Sequence, residues 1–191
     1  GISFSTQPVI TIADSYGNTV TVGDGSTSVV TATASTGGSI LGTANVAATN
    51  GVATFTDLGL GGLSGNYTIT YSITSPSALN NSQAIALSYG NAHHLALGNL
   101  PTQPVVRVLD SYGNLVANST ASVTAAMTSP VAGEALTGTS VNAVAGVATF
   151  TALNVVTLPG TKSLTFTSNS LASVQSNDIT FAHADADKLV I

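Results

Sequence analysis

The chain has 191 residues, of which 43% are hydrophobic and only 6% charged, against the roughly 25% charged residues of an average soluble domain. With three Lys plus Arg and a formal net charge of −5, it lacks the cationic surface that a phosphate backbone or anionic lipid requires, so neither nucleic acid nor a membrane surface is an expected partner. No apolar run reaches the roughly 18 residues of a membrane span, so no membrane insertion is expected, and the absence of cysteine excludes disulfides and thiolate metal sites.

The first segment, Gly1-Ile2-Ser3-Phe4-Ser5, leads into Thr6-Gln7-Pro8 and then Val9-Ile10-Thr11-Ile12-Ala13, whose alternation predicts a half-buried strand. Asp14-Ser15-Tyr16-Gly17-Asn18 follows as a turn in which the Asp14 carboxylate accepts from backbone N–H groups two residues on while Gly17 takes a left-handed conformation. Further strands are predicted at 29–33, 52–56 and 67–71, separated by turn signals at Gly37-Gly38, Asn50-Gly51, Gly61-Gly62 and Gly65-Asn66. After a junction near Gly90-Asn91-Ala92 a new strand, His94-Leu95-Ala96-Leu97, opens a second copy of the plan. Thr102-Gln103-Pro104-Val105 and Asp110-Ser111-Tyr112-Gly113-Asn114 return at an offset of 96, and Gly146-Val147-Ala148-Thr149-Phe150-Thr151 repeats Gly51-Val52-Ala53-Thr54-Phe55-Thr56 at an offset of 95. No stretch carries helical apolar spacing with a cap. About seven short strands in some 95 residues is the pattern of an immunoglobulin-like sandwich, so the expected fold is all-β with two tandem immunoglobulin-like β-sandwich modules, residues 1–91 and 92–185. Phe55 and Phe150 are expected in equivalent core positions. A short junction favours a stiff rod.

The phase of the repeat is uneven. Ala186-Asp187-Lys188-Leu189-Val190-Ile191 matches Ala92-His93-His94-Leu95-Ala96-Leu97 at an offset of 94, so residues 186–191 read as the first strand of a following module or of a neighbouring subunit. The first module has no such strand before its own Thr6-Gln7-Pro8. An edge left without its strand exposes N–H and C=O groups that template pairing with another chain. Lys188, Leu189, Val190 and Ile191 are accordingly assigned as a polymerisation strand, with the acceptor edge at Ile2, Phe4 and Val9. Two versions stay open: a window of a longer covalent array, or a subunit that joins its neighbours head to tail, a heterologous contact that generates an open filament.

Gln-Pro-Val followed by alternating Val/Ile, then Asp-x-x-Gly-Asn, then Gly-Val-Ala-Thr-Phe-Thr, with Lys-Leu-Val-Ile opening the next copy, resembles the bacterial Ig-like repeats of large surface proteins, akin to invasin and intimin stalks. The resemblance spans essentially the whole chain and implies an extracellular, cell-surface structural role with no catalytic residue carried over. The partner expected on this reading is the chain itself. The alternatives are an adhesin segment that binds carbohydrate or a host protein through Tyr71, Tyr89 or His93-His94, and an accessory domain of a secreted enzyme.

The remaining candidate sites have ordinary readings. Asp185 and Asp187 suggest calcium at a junction, yet the matching positions at the first junction are Asn91 and His93, poor substitutes for the six to eight oxygen ligands needed. Successive strand residues point to opposite faces, which is expected to keep His93 and His94 from sharing a metal ion, and His183 is distant in sequence. Lys162 could enter an isopeptide cross-link, but the favoured reading lays its stem over apolar surface and sends its amine to water; its counterpart Tyr67 resembles a tyrosine corner. Asn66, Asn80 and Asn118 head glycosylation sequons. No enzyme activity, catalytic residue, metal or cofactor is assigned, because no Ser, His and acid grouping recurs in both copies.

Overall fold

The computed structural model describes residues 2–98 and 103–182. The protein divides into two compact units, Gly1–Gly90 and Asn91–Ile191. Lys188, Leu189, Val190 and Ile191, with His183, Asp185 and Asp187, lie outside the described residues.

Unit 1 contains β1 (Ile2–Ser3), β2 (Val9–Thr11), β3 (Val29–Ala34), β4 (Ser39–Leu41), β5 (Asn45–Ala47), β6 (Val52–Thr54), β7 (Gly59–Gly61), β8 (Gly65–Ile73) and β9 (Leu79–Leu87), with one 3-10 turn at Asp24–Thr27. Pairing is antiparallel, in a four-stranded sheet ordered β5-β3-β8-β9, a pair β2-β6 and a three-stranded sheet β1-β7-β4. Strand alternation decides the core. On β8 the inward positions Ile69, Tyr71 and Ile73 are buried, on β3 Val30 and Ala32, and they pack with Ile12, Ala53, Phe55 and Leu58 from the other side. Phe55 meets Tyr71 in a tilted ring contact at 5.7 Å.

Unit 2 contains β10 (His94–Leu97), β11 (Val105–Leu109), β12 (Ser122–Met127), β13 (Ala135–Thr137), β14 (Ser140–Asn142), β15 (Val147–Thr149), β16 (Asn154–Val156), β17 (Gly160–Lys162), β18 (Leu164–Thr167), β19 (Val174–Gln175) and β20 (Ile179–Phe181). Its sheets are β14-β12-β18-β19, β10-β11-β15, β13-β16 and β17-β20. Val123, Ala125, Leu164 and Phe166 are buried, as are Val106, Val108, Ala148 and Phe150, and Phe150 meets Phe166 at 5.5 Å. Where β8 and β9 of unit 1 run unbroken, unit 2 is interrupted. The Ser176 hydroxyl accepts the Leu164 N–H at 2.9 Å and donates to its neighbour Asn177 carbonyl at 2.7 Å, a side-chain substitute for a ladder bond that ends the pairing there.

The repeated motifs have physical reasons. The Gln7 side chain acts as a strand substitute: its amide nitrogen donates to the Leu58 carbonyl at 3.1 Å and its oxygen accepts the Leu58 N–H at 2.9 Å. Gln103 does the same to Leu153, both bonds at 3.0 Å. Pro8 and Pro104, lacking N–H groups, still supply carbonyls to the Phe55 and Phe150 N–H groups. Asn50-Gly51 makes a two-residue hairpin turn with φ of 50° and 78°, and Ala145-Gly146 repeats both angles. Successive positive φ values mark the turn whose twist matches antiparallel strands. A side chain at Gly51 or Gly146 would meet the Val20 or Val116 carbonyl oxygen at 2.4 or 2.5 Å, so both positions require glycine.

The all-β expectation holds. The strand expected to run from Val9 to Ala13 stops at Thr11, after which Ala13 bridges Thr19 across the Asp14 turn. Phe55 and Phe150 are 1% and 0% exposed. Replacing either by Ala is expected to cost about 3–5 kcal/mol in chemical unfolding, transfer and cavity costs together. Ala145 holds a left-handed conformation that Asn, the residue at the equivalent Asn50, adopts more readily. Ala145→Asn is expected to raise stability by about 0.5–1 kcal/mol in the same assay, and no gain would contradict the turn assignment.

Candidate functional site

The candidate site of unit 1 follows from what β11 has and β2 lacks. In unit 2, β10 pairs along one side of β11, with Leu95 opposite Val108 and Ala96 opposite Arg107, while β15 takes the other side. The Leu95 N–H also donates to the Ala172 carbonyl at 3.1 Å, and the Ala172 N–H donates back to His93. One strand thus ties β11 to the segment just before β19, and Leu95 is 3% exposed in the core. By the offset of 96, Ile10, Thr11, Ile12 and Ala13 stand where Val106, Arg107, Val108 and Leu109 stand.

Among the described residues, β2 pairs with β6 alone. Pro8 and Ile12 bond toward the hairpin side, to the Phe55 N–H and the Gly51 carbonyl. Hydrogen-bonding direction alternates along an antiparallel strand, so the N–H and C=O groups of Val9 and Thr11 face the unoccupied side. Across from this edge runs β9, the outer strand of the four-stranded sheet. Between the two lies a groove of about 130 Å³, lined by Ile10, Ile12, Val30, Tyr71, Ile73 and Leu79 among others. An apolar cavity of about 150 Å³ accepts a benzene-sized group, so this space suits one aliphatic side chain. Tyr71 is 4% exposed, and its hydroxyl is buried without a hydrogen-bond partner. Burial pushes the phenol pKa up. Its counterpart in unit 2 is Phe166, which has no hydroxyl to satisfy.

Of the residues assigned to the acceptor edge, Val9 opens β2 and is 57% exposed. Ile2 pairs with Leu60 in β1, and the Phe4 N–H donates to the Leu58 carbonyl at 2.9 Å, so these two residues lie along β7, at the edge of the β1-β7-β4 sheet. The side of β2 opposite β6 runs from Val9 toward Ala13. Tyr71 is no exposed binding platform, because its ring faces the core.

Two local expectations are corrected. The imidazoles of His93 and His94 do meet, with Nδ1 atoms 3.4 Å apart and rings nearly perpendicular. His93 precedes β10, and strand alternation does not govern it. The Lys162 amine does not reach for water but pairs with Glu134 at 2.8 Å. Glu134, overlooked in the sequence because it stands alone, also accepts the Thr157 hydroxyl at 2.6 Å and the Val131 N–H at 2.8 Å. Asp14 and Asp110 serve their turns: each accepts N–H groups two and four residues on, at 2.8–2.9 Å. The Asn18 backbone N–H foremost, then its side-chain amide, lowers the Asp14 pKa. Asn66, Asn80 and Asn118 are exposed. Asn80 also lines the groove, so a glycan there would compete with any strand entering it.

No protein-family model matches the sequence, and no curated protein does. Among solved structures, the protein is similar to a Bacteroides vulgatus β-glycosidase (12% identity, TM-score 0.41) and to β-glucuronidases of Parabacteroides merdae (11%, 0.39) and Bacteroides uniformis (11%, 0.36). Each alignment covers 81% of this chain and 21% of the other, so the chain spans about a fifth of the length of those enzymes.

The Lys162 ammonium, with the Thr157 hydroxyl and Val131 N–H behind it, holds the Glu134 carboxyl down at about 2. A depressed carboxyl pKa stabilises the fold above its unfolded value near 4.5, and this contribution is lost as pH falls through about 2. The stability difference between the protein and its Glu134→Gln variant, measured by calorimetry, is therefore expected to narrow as pH falls from about 4.5 to about 2. A difference constant across that window would show that the ion pair is not what the carboxylate contributes.

Proposed function

We propose that this protein is an extracellular structural repeat unit, two immunoglobulin-like β-sandwich modules of a surface array or head-to-tail filament whose units join by strand complementation. The observation that carries this reading is the side of β2 that has no strand partner among the described residues, at the place where β11 carries β10. Natural sheets protect such edges with charge, proline, bulges or coverings. Here the open side displays Val9 and Thr11 beside an apolar groove, with no Lys or Arg in unit 1. That is the composition of an edge awaiting a partner.

Other features support the modules and their setting. Tyr67 donates its hydroxyl to the Leu63 carbonyl at 2.8 Å, the tie of a tyrosine corner in immunoglobulin-like sandwiches. The repeated strand plan and the surface of Thr, Ser and Asn fit the bacterial Ig-like surface repeats that the motifs resemble.

Thr11→Pro tests the edge. Proline removes the outward N–H and is tolerated on an edge strand whose N–H faces away from its partner. The protein is expected to form assemblies that grow with concentration in sedimentation, and the variant is expected to remain monomeric with an unchanged circular dichroism spectrum. Equal assembly by both, or a parent chain monomeric at every concentration, would sink the proposal.

A further inference from the structure

Resting on that reading, we infer that the groove between β2 and β9 is a binding site for residues 188–191 of a second copy of this chain, entered antiparallel to β2 with Leu189 seated in the core and the Tyr71 hydroxyl bonding to the incoming backbone. Three observations carry the inference.

The first is register. β10 shows how such a strand lies: His94, Leu95, Ala96 and Leu97 pair with Leu109, Val108, Arg107 and Val106. The offsets of 94 for the donor and 96 for the acceptor place Lys188 opposite Ala13, Leu189 opposite Ile12, Val190 opposite Thr11 and Ile191 opposite Ile10. Leu189 is the same residue as Leu95, which unit 2 buries, and Ile12 replaces Val108 in the lining. A groove of about 130 Å³ lies where that leucine would go.

The second is Tyr71. A hydroxyl buried without a partner is costly, and the usual remedy is a hydrogen bond supplied by whatever completes the site. Tyr71 lines the groove. An entering strand brings peptide carbonyls past it, whereas unit 2, whose strand is built into the same chain, has Phe166 at this position and needs no such bond.

The third is charge. The protein has three cationic side chains, Arg107, Lys162 and Lys188. Arg107 and Lys162 belong to unit 2. The register sets Lys188 across from Ala13, one residue from the exposed carboxylate of Asp14, which its turn keeps ionised.

The protein has no cysteine, so engineered thiols report register cleanly. Thr11 is exposed, and an antiparallel pair brings Cα atoms to about 4.5–5.5 Å, within disulfide range. Full-length Thr11→Cys mixed with full-length Val190→Cys and oxidised is expected to give a product of twice the 18.8 kDa chain mass. Leu189→Cys, whose thiol would point into the groove, should not cross-link to Thr11→Cys. A Leu189→Asp change added to the Val190→Cys chain is expected to abolish the product, because it puts a charge in an apolar seat. Tyr71→Phe, which keeps the ring, is expected to weaken assembly about fivefold while leaving the melting temperature level or higher. Chains that assemble in a Thr11-dependent manner without the cross-link would overturn this occupant and leave the proposed function standing. A cross-link within a single Thr11→Cys/Val190→Cys chain at monomer mass would overturn the second copy as donor. Tyr71→Phe assembling as strongly as the parent would remove the hydroxyl from the site. Failure of any chain to assemble would overturn the proposed function, and this inference with it.

Discussion

A strand in the middle of a sheet has two flanks of backbone N–H and C=O groups, and each flank needs partners. In a protein with so little charge to keep sheet edges apart, that requirement governs the rest. β11 meets it twice, with β15 on one side and β10 on the other. β2 meets it once. The side chains beneath follow: Leu95 closes the core of unit 2, and the corresponding space in unit 1 is an open groove ending at an unsatisfied hydroxyl.

The same requirement explains why side chains so often stand in for backbone. Gln7 and Gln103 bond to both polar groups of one residue across the sandwich, as a strand would. The Asp14 and Asp110 carboxylates gather the N–H groups of their turns, and Glu134 gathers those of Val131 and Leu158 beside Lys162. Short strands joined by tight turns leave many backbone groups outside any ladder, and amides and carboxylates of fixed reach collect them.

Much of this architecture was legible in the chain because it rests on local chemistry. Alternation found the strands around Val9, Val29, Val52 and Tyr67, and the Asp-Ser-Tyr-Gly-Asn turns follow from a carboxylate two residues ahead of its donors. Other features depend on what lies across the sandwich. Nothing near Gln7 in sequence announces Leu58, and a solitary Glu134 gives no hint of Lys162, 28 residues on. Nothing near Ile2 and Phe4 in sequence announces that they lie along β7, some 55 residues on, rather than beside β2. Strand alternation stops one residue short of His93, so the meeting of the His93 and His94 rings does not follow from it.

Lys162–Glu134 is the one ion pair among the described residues, and it has a consequence for the conditions the protein can tolerate. Dissolved salt acts on exposed charges by screening them, and has little purchase on a pair whose carboxylate is enclosed. What remains outside is mostly hydroxyl, amide and methyl, whose hydration changes only gradually with ionic strength. The enclosed pair is therefore expected to keep its contribution to folding as ionic strength rises, where an exposed pair would lose its own.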